Sequence, residues 1–448
     1  MDRAEDLAER IDEIAAVDTH THLGSEWAQR PCSVAERVKA VVLGGYLRGY
    51  LVSTGAALNE EAYRELGPVE FLEEIAPHVE VLKATGTYGA TLEALRDLYG
   101  FEGDLGDGPA VKALVESIGA AYEAGEEQRW QEVFGKANVE LALKNVQLRY
   151  FTEYLPSLPP ERRRLETGLL RAVPRVDCFL FGPFRLKGSE MLEVSMPGMI
   201  EALDGTMRAL GQRPETLEDY LGLIEATFDC YKRCGAVGVK LTTGYLRELR
   251  FDNASRRDAE KVFSTRHAVK TLQEVRAFQD YVLRFVLEQC AAHDLPIQIH
   301  TGLQSGNDSN MPECNPIGLT SLFRERSFGD VRFVLLHGGY PYTGETGVLA
   351  KSFPNVYLDC SWLTLLSPLV CARCLGEWLE LVPWSKIMHG SDAHTAEDLY
   401  GVTKRGRKVL ASVLGRMMED AHMSTDDAVR IASGILRENA RRVYCIKN

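Results

Sequence analysis

The chain has 448 residues and a formal net charge of −13, with 45% apolar and 26% charged residues. That balance supports a sizeable core and argues against disorder. The negative charge, without a long Lys/Arg stripe, argues against nucleic acid, and no apolar run approaches the ~18–20 residues that cross a bilayer.

The start, MDRAEDLAERIDEIAAV, reads as an amphipathic helix with Leu7, Ile11 and Ile14 on one face. It is acidic and has neither the basic n-region nor the apolar h-region of a secretory signal, so a cytoplasmic protein with its ten cysteines reduced is expected. Cys371-x-x-Cys374 and the Cys230/Cys234 pair fall on helical patterns, and buried free thiols are the simplest reading of both.

Next comes VDTHTHL, residues 17–23, the end of a first strand. In an extended strand side chains two apart share a side, so His20 and His22 point together, as two imidazole ligands of one metal ion must. Residues 33–142 then read as helical, in segments with three-to-four apolar spacing separated by Gly-rich breaks. This is far more than one βα unit needs. It predicts a helical insertion rooted in the first βα loop, covering the barrel mouth because it begins just after His22.

From there strands and helices alternate. Strands are predicted at 143–150, 173–182, 236–244, 295–302, 331–339, 355–362 and 385–392, with helices such as 217–234 and 268–293 between them. Helices over 405–420 and 425–443 follow, the second opening on the cap-like Ser424-Thr425-Asp426. With the first strand this makes eight, and eight apolar strands alternating with helices predict an α/β fold, a (β/α)8 TIM barrel. The barrel would comprise 1–32 and 143–448, interrupted by the insertion. A doubly wound open sheet is the alternative.

In such a barrel the chemistry lies at the C-terminal ends of the strands. His20 and His22 on strand one, Lys240 on four, His300 on five, His337 on six and Asp392 on eight all fall there. Four of the ten histidines occupy these positions. Scattered along the chain, the six residues would converge on one metal site.

VDTHTHL, GVKLTTG, IQIHTG, VLLHGGYP and IMHGSDAH, in that order and spacing, resemble the strand-end motifs of the amidohydrolase superfamily. The nearest branch is amidohydrolase-2. The stretch 299–394 resembles the FluG-type amidohydrolase domain in particular, ENARRVY near the C-terminus also fits, and uronate isomerases are more distantly similar. The resemblance implies that His20, His22, His300 and Asp392 hold a divalent metal, with zinc first and manganese or iron as alternatives. Such a metal lowers the pKa of water towards ~7, and Asp392 would serve as general base.

The resemblance further implies that His337 is a ligand of a second metal or a neutral donor polarising a substrate carbonyl. Lys240 would be either a carboxylated, anionic ligand bridging two metals or a free amine pairing with a substrate carboxylate or Asp392. Relatives usually have Ser after this Lys where the present chain has Leu-Thr-Thr, so one ion and two both stay open.

Arg247 and Arg149 are weaker candidates, able to bind a substrate carboxylate bidentately or to form surface ion pairs. The Gly/Asn-rich loop 302–316, just after His300, is expected to shape the pocket, and His394 would reach the substrate or hydrogen-bond within its loop. The reading is a metal-dependent hydrolase cleaving a C–N (amide) or C–O bond of a small, carboxylate-bearing molecule. A decarboxylase or a uronate-isomerase-like enzyme on the same site is the alternative, and a non-catalytic metal-binding domain a lesser one. The expected partners are a small-molecule substrate and further copies of the chain in a homo-oligomer, with no nucleic acid and no membrane.

Overall fold

The computed structural model describes residues 3–23, 33–56, 65–105, 107–146, 168–305, 310–420 and 423–447. Eight parallel strands carry the architecture: β1 Ala16–Thr21, β2 Val139–Val146, β3 Leu170–Pro174 and β4 Val239–Leu241, then β5 Ile297–Ile299, β6 Phe333–Leu335, β7 Val356–Asp359 and β8 Ile387–Met388. Ladders join β1 to β3 in one sheet and β4 to β8, in chain order, in another.

Single bridges tie the two sheets at both sides. Thr21 pairs with Ala393 just beyond β8, where His22 N–H donates to Ala393 O (2.7 Å) and Asp392 N–H to His20 O (2.8 Å). Arg175 pairs with Lys240, and Val176 N–H donates to Lys240 O (2.9 Å). Val17, Leu141, Leu143, Val173, Val334 and Met388, from five strands around the ring, meet in one buried cluster with Val443 and Tyr444. That convergence is what a filled barrel interior requires. The fold is therefore the expected TIM barrel.

The segment between β1 and β2 is helical over Val34–Ser53, Pro68–Glu80, Gly86–Tyr99, Gly108–Ala121 and Glu126–Ala137. Three of these helices show a local cause. Ser33 and Glu36 form a reciprocal capping box, Pro68 sits at a first-turn position, and Gly100 ends its helix in the left-handed region at φ 65°. Thr216 with Asp219, Thr271 with Glu274, and Ser424 with Asp427 cap Leu217–Arg233, Leu272–Ala292 and Thr425–Ser433 in the same way.

Several boundaries differ from the sequence reading. The insertion ends at Ala137, because Asn138 takes a left-handed conformation (φ 50°), and β2 starts at Val139 rather than 143. The predicted strand 173–182 divides: β3 stops at Pro174 and Asp177–Phe181 is a short helix. Its Cys178, Phe179, Leu180 and Phe181 are all fully buried, and an apolar run buried all round loses the period that separates strand from helix. The helix expected from 405 begins at Ala396. A parallel ribbon of Arg185–Leu186 with Val269–Lys270 had no sequence signal.

Candidate metal centre

Local hydrogen bonding fixes the end of β1. Asp18 Oδ1 accepts from His20 N–H (3.1 Å) and Ser391 N–H (2.9 Å), tying β1 to the loop after β8. The Thr19 hydroxyl reaches His389 O (2.7 Å) and the Asp359 carboxylate at the end of β7. Three residues here hold positive φ without being glycine: His337 (63°), Trp362 (66°) and Asp392 (63°). Each costs about 1–3 kcal/mol, and such strain clusters where a site needs a side chain aimed against local preference. The three lie close together: the His337 ring is 5.4 Å from Trp362, and its Nδ1 is 3.6 Å from Asp392 Oδ2.

Around Asp392 the lone pairs converge. Its Oδ1 is 3.2 Å from His20 Nε2 and 3.3 Å from His22 Nε2, yet no hydrogen bond reaches it among the described residues. Its Oδ2 accepts from Tyr46 Oη (2.5 Å). Ligand atoms of His20, His337 and Asp392 all lie within 4.8 Å of one another. A buried carboxylate oxygen facing two imidazole nitrogens and accepting from neither is costly unless a cation sits among them. The donor set therefore fits a divalent ion.

Electrostatics give the same donors their ligand forms. Burial, assisted by Lys240, takes His20 down to about 3. Burial likewise holds His300 and His337 well below the usual imidazole range, so these rings are neutral. Burial works against ionising Asp392, but His337, His20 and His22 outweigh it and keep the carboxyl well below the carboxylate range. Burial also lowers Lys240 to about 7, with Asp392 opposing and the nearby Arg175 assisting.

Of the residues singled out in the sequence, Lys240 Nζ lies 3.0 Å from His20 Nε2. His300 Nδ1 is 3.0 Å from His337 Nε2, while its own Nε2 donates to Leu303 O (2.8 Å). Its link to the cluster therefore runs through His337. Arg247 is buried and spends its guanidinium on Asp280 (2.9 Å), Gln279 Oε1 (3.0 Å) and Arg250 O (2.6 Å). These contacts brace the segment after β4, correcting the expectation of a carboxylate-binding or surface arginine. Arg149 and part of the 302–316 loop lie outside the described residues. His394 stacks on His22 at 4.9 Å. Cys371 and Cys374 lie on one helix, and Cys230 on another that Cys234 caps, none of them in a disulfide.

Four residues at the site escaped the sequence reading. Tyr46 comes from the first insertion helix, and Trp362 packs on it (4.8 Å) with its indole N–H unpartnered among the described residues. No spacing rule points to either. Arg175, at the end of β3, keeps its side chain 25% exposed beside Thr242 and Asp177. Gln298, two residues before His300 on β5, contacts His20 Nδ1 (3.1 Å). Strand alternation gave a usable signal for Gln298, since 298 and 300 share a side.

Known proteins resemble this chain over part of its sequence and in its fold. The amidohydrolase family model Amidohydro_2 matches residues 254–446. Protein fluG of Emericella nidulans is 32% identical over 222 residues, 46% of this chain but 25% of the relative's own length. A solved glucuronate isomerase from Caulobacter crescentus has a TM-score of 0.79 at 15% identity, covering 100% of this chain and 94% of that one. A Lactobacillus casei protein, provisionally described as a metal-dependent hydrolase, has a TM-score of 0.66 at 19% identity, covering 98% and 97%. At these identities the structural likeness speaks for the fold. Residues 254–446 thus resemble the amidohydrolase family, and the chain shares its fold with these solved structures.

Proposed function

We propose that the protein is a metal-dependent hydrolase cleaving a C–N (amide) or C–O bond of a small, carboxylate-bearing molecule, working in the cytoplasm as a homo-oligomer. The observation that carries this reading is Asp392 Oδ1, buried between His20 and His22 without a hydrogen bond among the described residues. His20, His22 and Asp392 would hold the ion, zinc being the best match to nitrogen and oxygen donors, with His337, His300 and Lys240 as further ligands if a second ion binds. When bound, such an ion supplies Lewis-acid polarisation and lowers the pKa of water towards ~7.

The remaining work falls to side chains. Asp392 takes a proton from the attacking water and returns it to the leaving group, and Tyr46 holds its Oδ2 in place. His337, kept neutral, polarises the scissile carbonyl. The unpartnered Trp362 N–H supplies a donor for a substrate oxygen. Arg175, partly exposed beside Lys240, suits a substrate carboxylate better than the buried Arg247 does. Lys240 either joins Arg175 in that contact or acts as a carboxylated ligand; an amine brought to about 7 has the neutral fraction that carboxylation needs. The insertion helices, through Tyr46, close the mouth against water.

The alternative is a decarboxylase or uronate-isomerase-like reaction at the same residues, favoured by the fold match to an isomerase over the whole chain, insertion included. Metal-replete protein screened in parallel for amine or acid release, CO2 release and sugar interconversion tests both. Amine or acid release is the expected result. CO2 release or sugar interconversion without hydrolysis overturns the hydrolase reading.

A further inference from the structure

We infer that Gln298 is a positioning residue that locks His20 in the Nδ1–H tautomer, leaving the Nε2 lone pair aimed at Asp392 and the ion; this rests on the metal reading above. Gln298 is fully buried on β5, and its amide orientation is over-determined. Nε2 donates to Thr19 O (2.7 Å) and Tyr444 Oη (2.8 Å). A backbone carbonyl has no hydrogen to give, so a flipped amide would set two oxygens against each other. Oε1 must therefore face His20 Nδ1 at 3.1 Å, and only an Nδ1–H satisfies it.

Lys240 Nζ stands 3.0 Å from Nε2 on the other side of the ring. The opposite tautomer would place a lone pair against the Oε1 lone pairs. A ligating imidazole whose second nitrogen donates to a fixed acceptor is oriented and made more basic, and losing such a partner typically weakens metal affinity tenfold to a hundredfold. Tyr444 braces the far end of the amide, so the tail of the chain reaches the metal centre through Gln298.

The test uses Zn2+ alone, measured by chelator competition on the full chain. Gln298→Met, which cannot accept a hydrogen bond, is expected to weaken Zn2+ binding about tenfold to a hundredfold. Gln298→Glu restores the acceptor but not the donor to Thr19 O, so it should bring Zn2+ affinity back while leaving the melting temperature lowered. Wild-type affinity in Gln298→Met overturns the inference. So does an equal loss in both variants that follows the fall in melting temperature, because that is the mark of a merely structural amide. Should either variant fail to fold, ¹⁵N NMR of the wild-type imidazoles, with His20 assigned by its loss in His20→Ala, reads the tautomer without any metal. An Nδ1–H pattern supports the inference and an Nε2–H pattern overturns it, whether or not the protein proves to be a hydrolase.

Discussion

The strand ends and the helical insertion meet at one carboxylate, Asp392, and they meet it differently. From the strands come His20 and His22, whose Nε2 atoms face an oxygen that no hydrogen bond reaches among the described residues, and His337, 3.6 Å from the other oxygen. From the insertion comes Tyr46, a hydroxyl donating to the other oxygen. Farther out, the insertion joins the barrel through a second buried acid. Glu397 accepts from Tyr99 (2.5 Å) and Tyr122 (2.8 Å), with Arg129 at 3.8 Å. On the proposed reading the division assigns ion binding to the barrel, while the insertion contacts Asp392 through Tyr46 and is itself held by a separate anchor.

Removing a strand-side ligand should have the largest effect. His20→Ala is expected to lose its metal and with it all turnover, as His300→Ala would if that ring joins the set. Element analysis of protein purified without chelator decides this; a metal-free wild type that takes up neither Zn2+ nor Mn2+ would falsify the division at its root.

Asp392→Asn should follow, with kcat reduced roughly 10²–10⁴-fold and the melting temperature nearly unchanged. Asn tolerates the left-handed backbone at this position, so the swap adds little strain. Near-normal kcat with a lowered melting temperature would make Asp392 a helix cap instead.

Glu397→Ala tests the anchor. It removes the acceptor of the Tyr99 and Tyr122 hydroxyls and leaves Arg129 with Glu132, and should cost about 2–3 kcal/mol in urea unfolding without changing metal content. Metal lost along with stability would mean that the insertion also supports the ligands.

Tyr46→Phe is a smaller change: about a tenfold loss of kcat, the range expected for one charge-assisted hydrogen bond, with metal retained. Unchanged kcat would reduce Tyr46 to packing.

The smallest effect is acid sensitivity at His389, which is buried and brought to about 3 by burial, with Arg407 assisting. Its folded pKa lies below the unfolded value near 6.5, so it contributes stability present above pH 6.5 and lost as pH falls towards 3. His389→Gln should make the acid limb shallower by up to about 1.4 kcal/mol per pH unit, read from urea midpoints at pH 7 and pH 5. An unchanged limb would place the proton uptake on the site histidines.

How much of this was legible follows from which contacts are local. Strand cores and the residues that end them are short-range signals, so each of the eight strands left a trace in the sequence, although 173–182 meets β3 only at Val173 and Pro174, and the residues gathered around Asp392 include His20, His22 and His337, singled out by their strand-end positions. Asp177–Phe181 misled because complete burial removes the polar face that marks a helix. Arg247 misled because its partners Gln279 and Asp280 sit on a helix 32 residues and more away in sequence. Tyr46 and Trp362 become site residues only through packing of the insertion on the barrel, which no periodicity encodes. Gln298 was within reach of strand alternation.

The seam between β1 and β8 has a consequence for biosynthesis. Asp18 and Ser391, 373 residues apart, hold it together, and Asp392 and His20 exchange a backbone hydrogen bond across it. A ribosome adding about 5–20 residues per second exposes β1 long before β8 exists. Until residue 392 emerges, the nascent chain presents His20 and His22 without their carboxylate. On the proposed metal reading, capture of the ion waits until residue 392 has emerged, and a chain truncated before β8 should leave the ribosome without it.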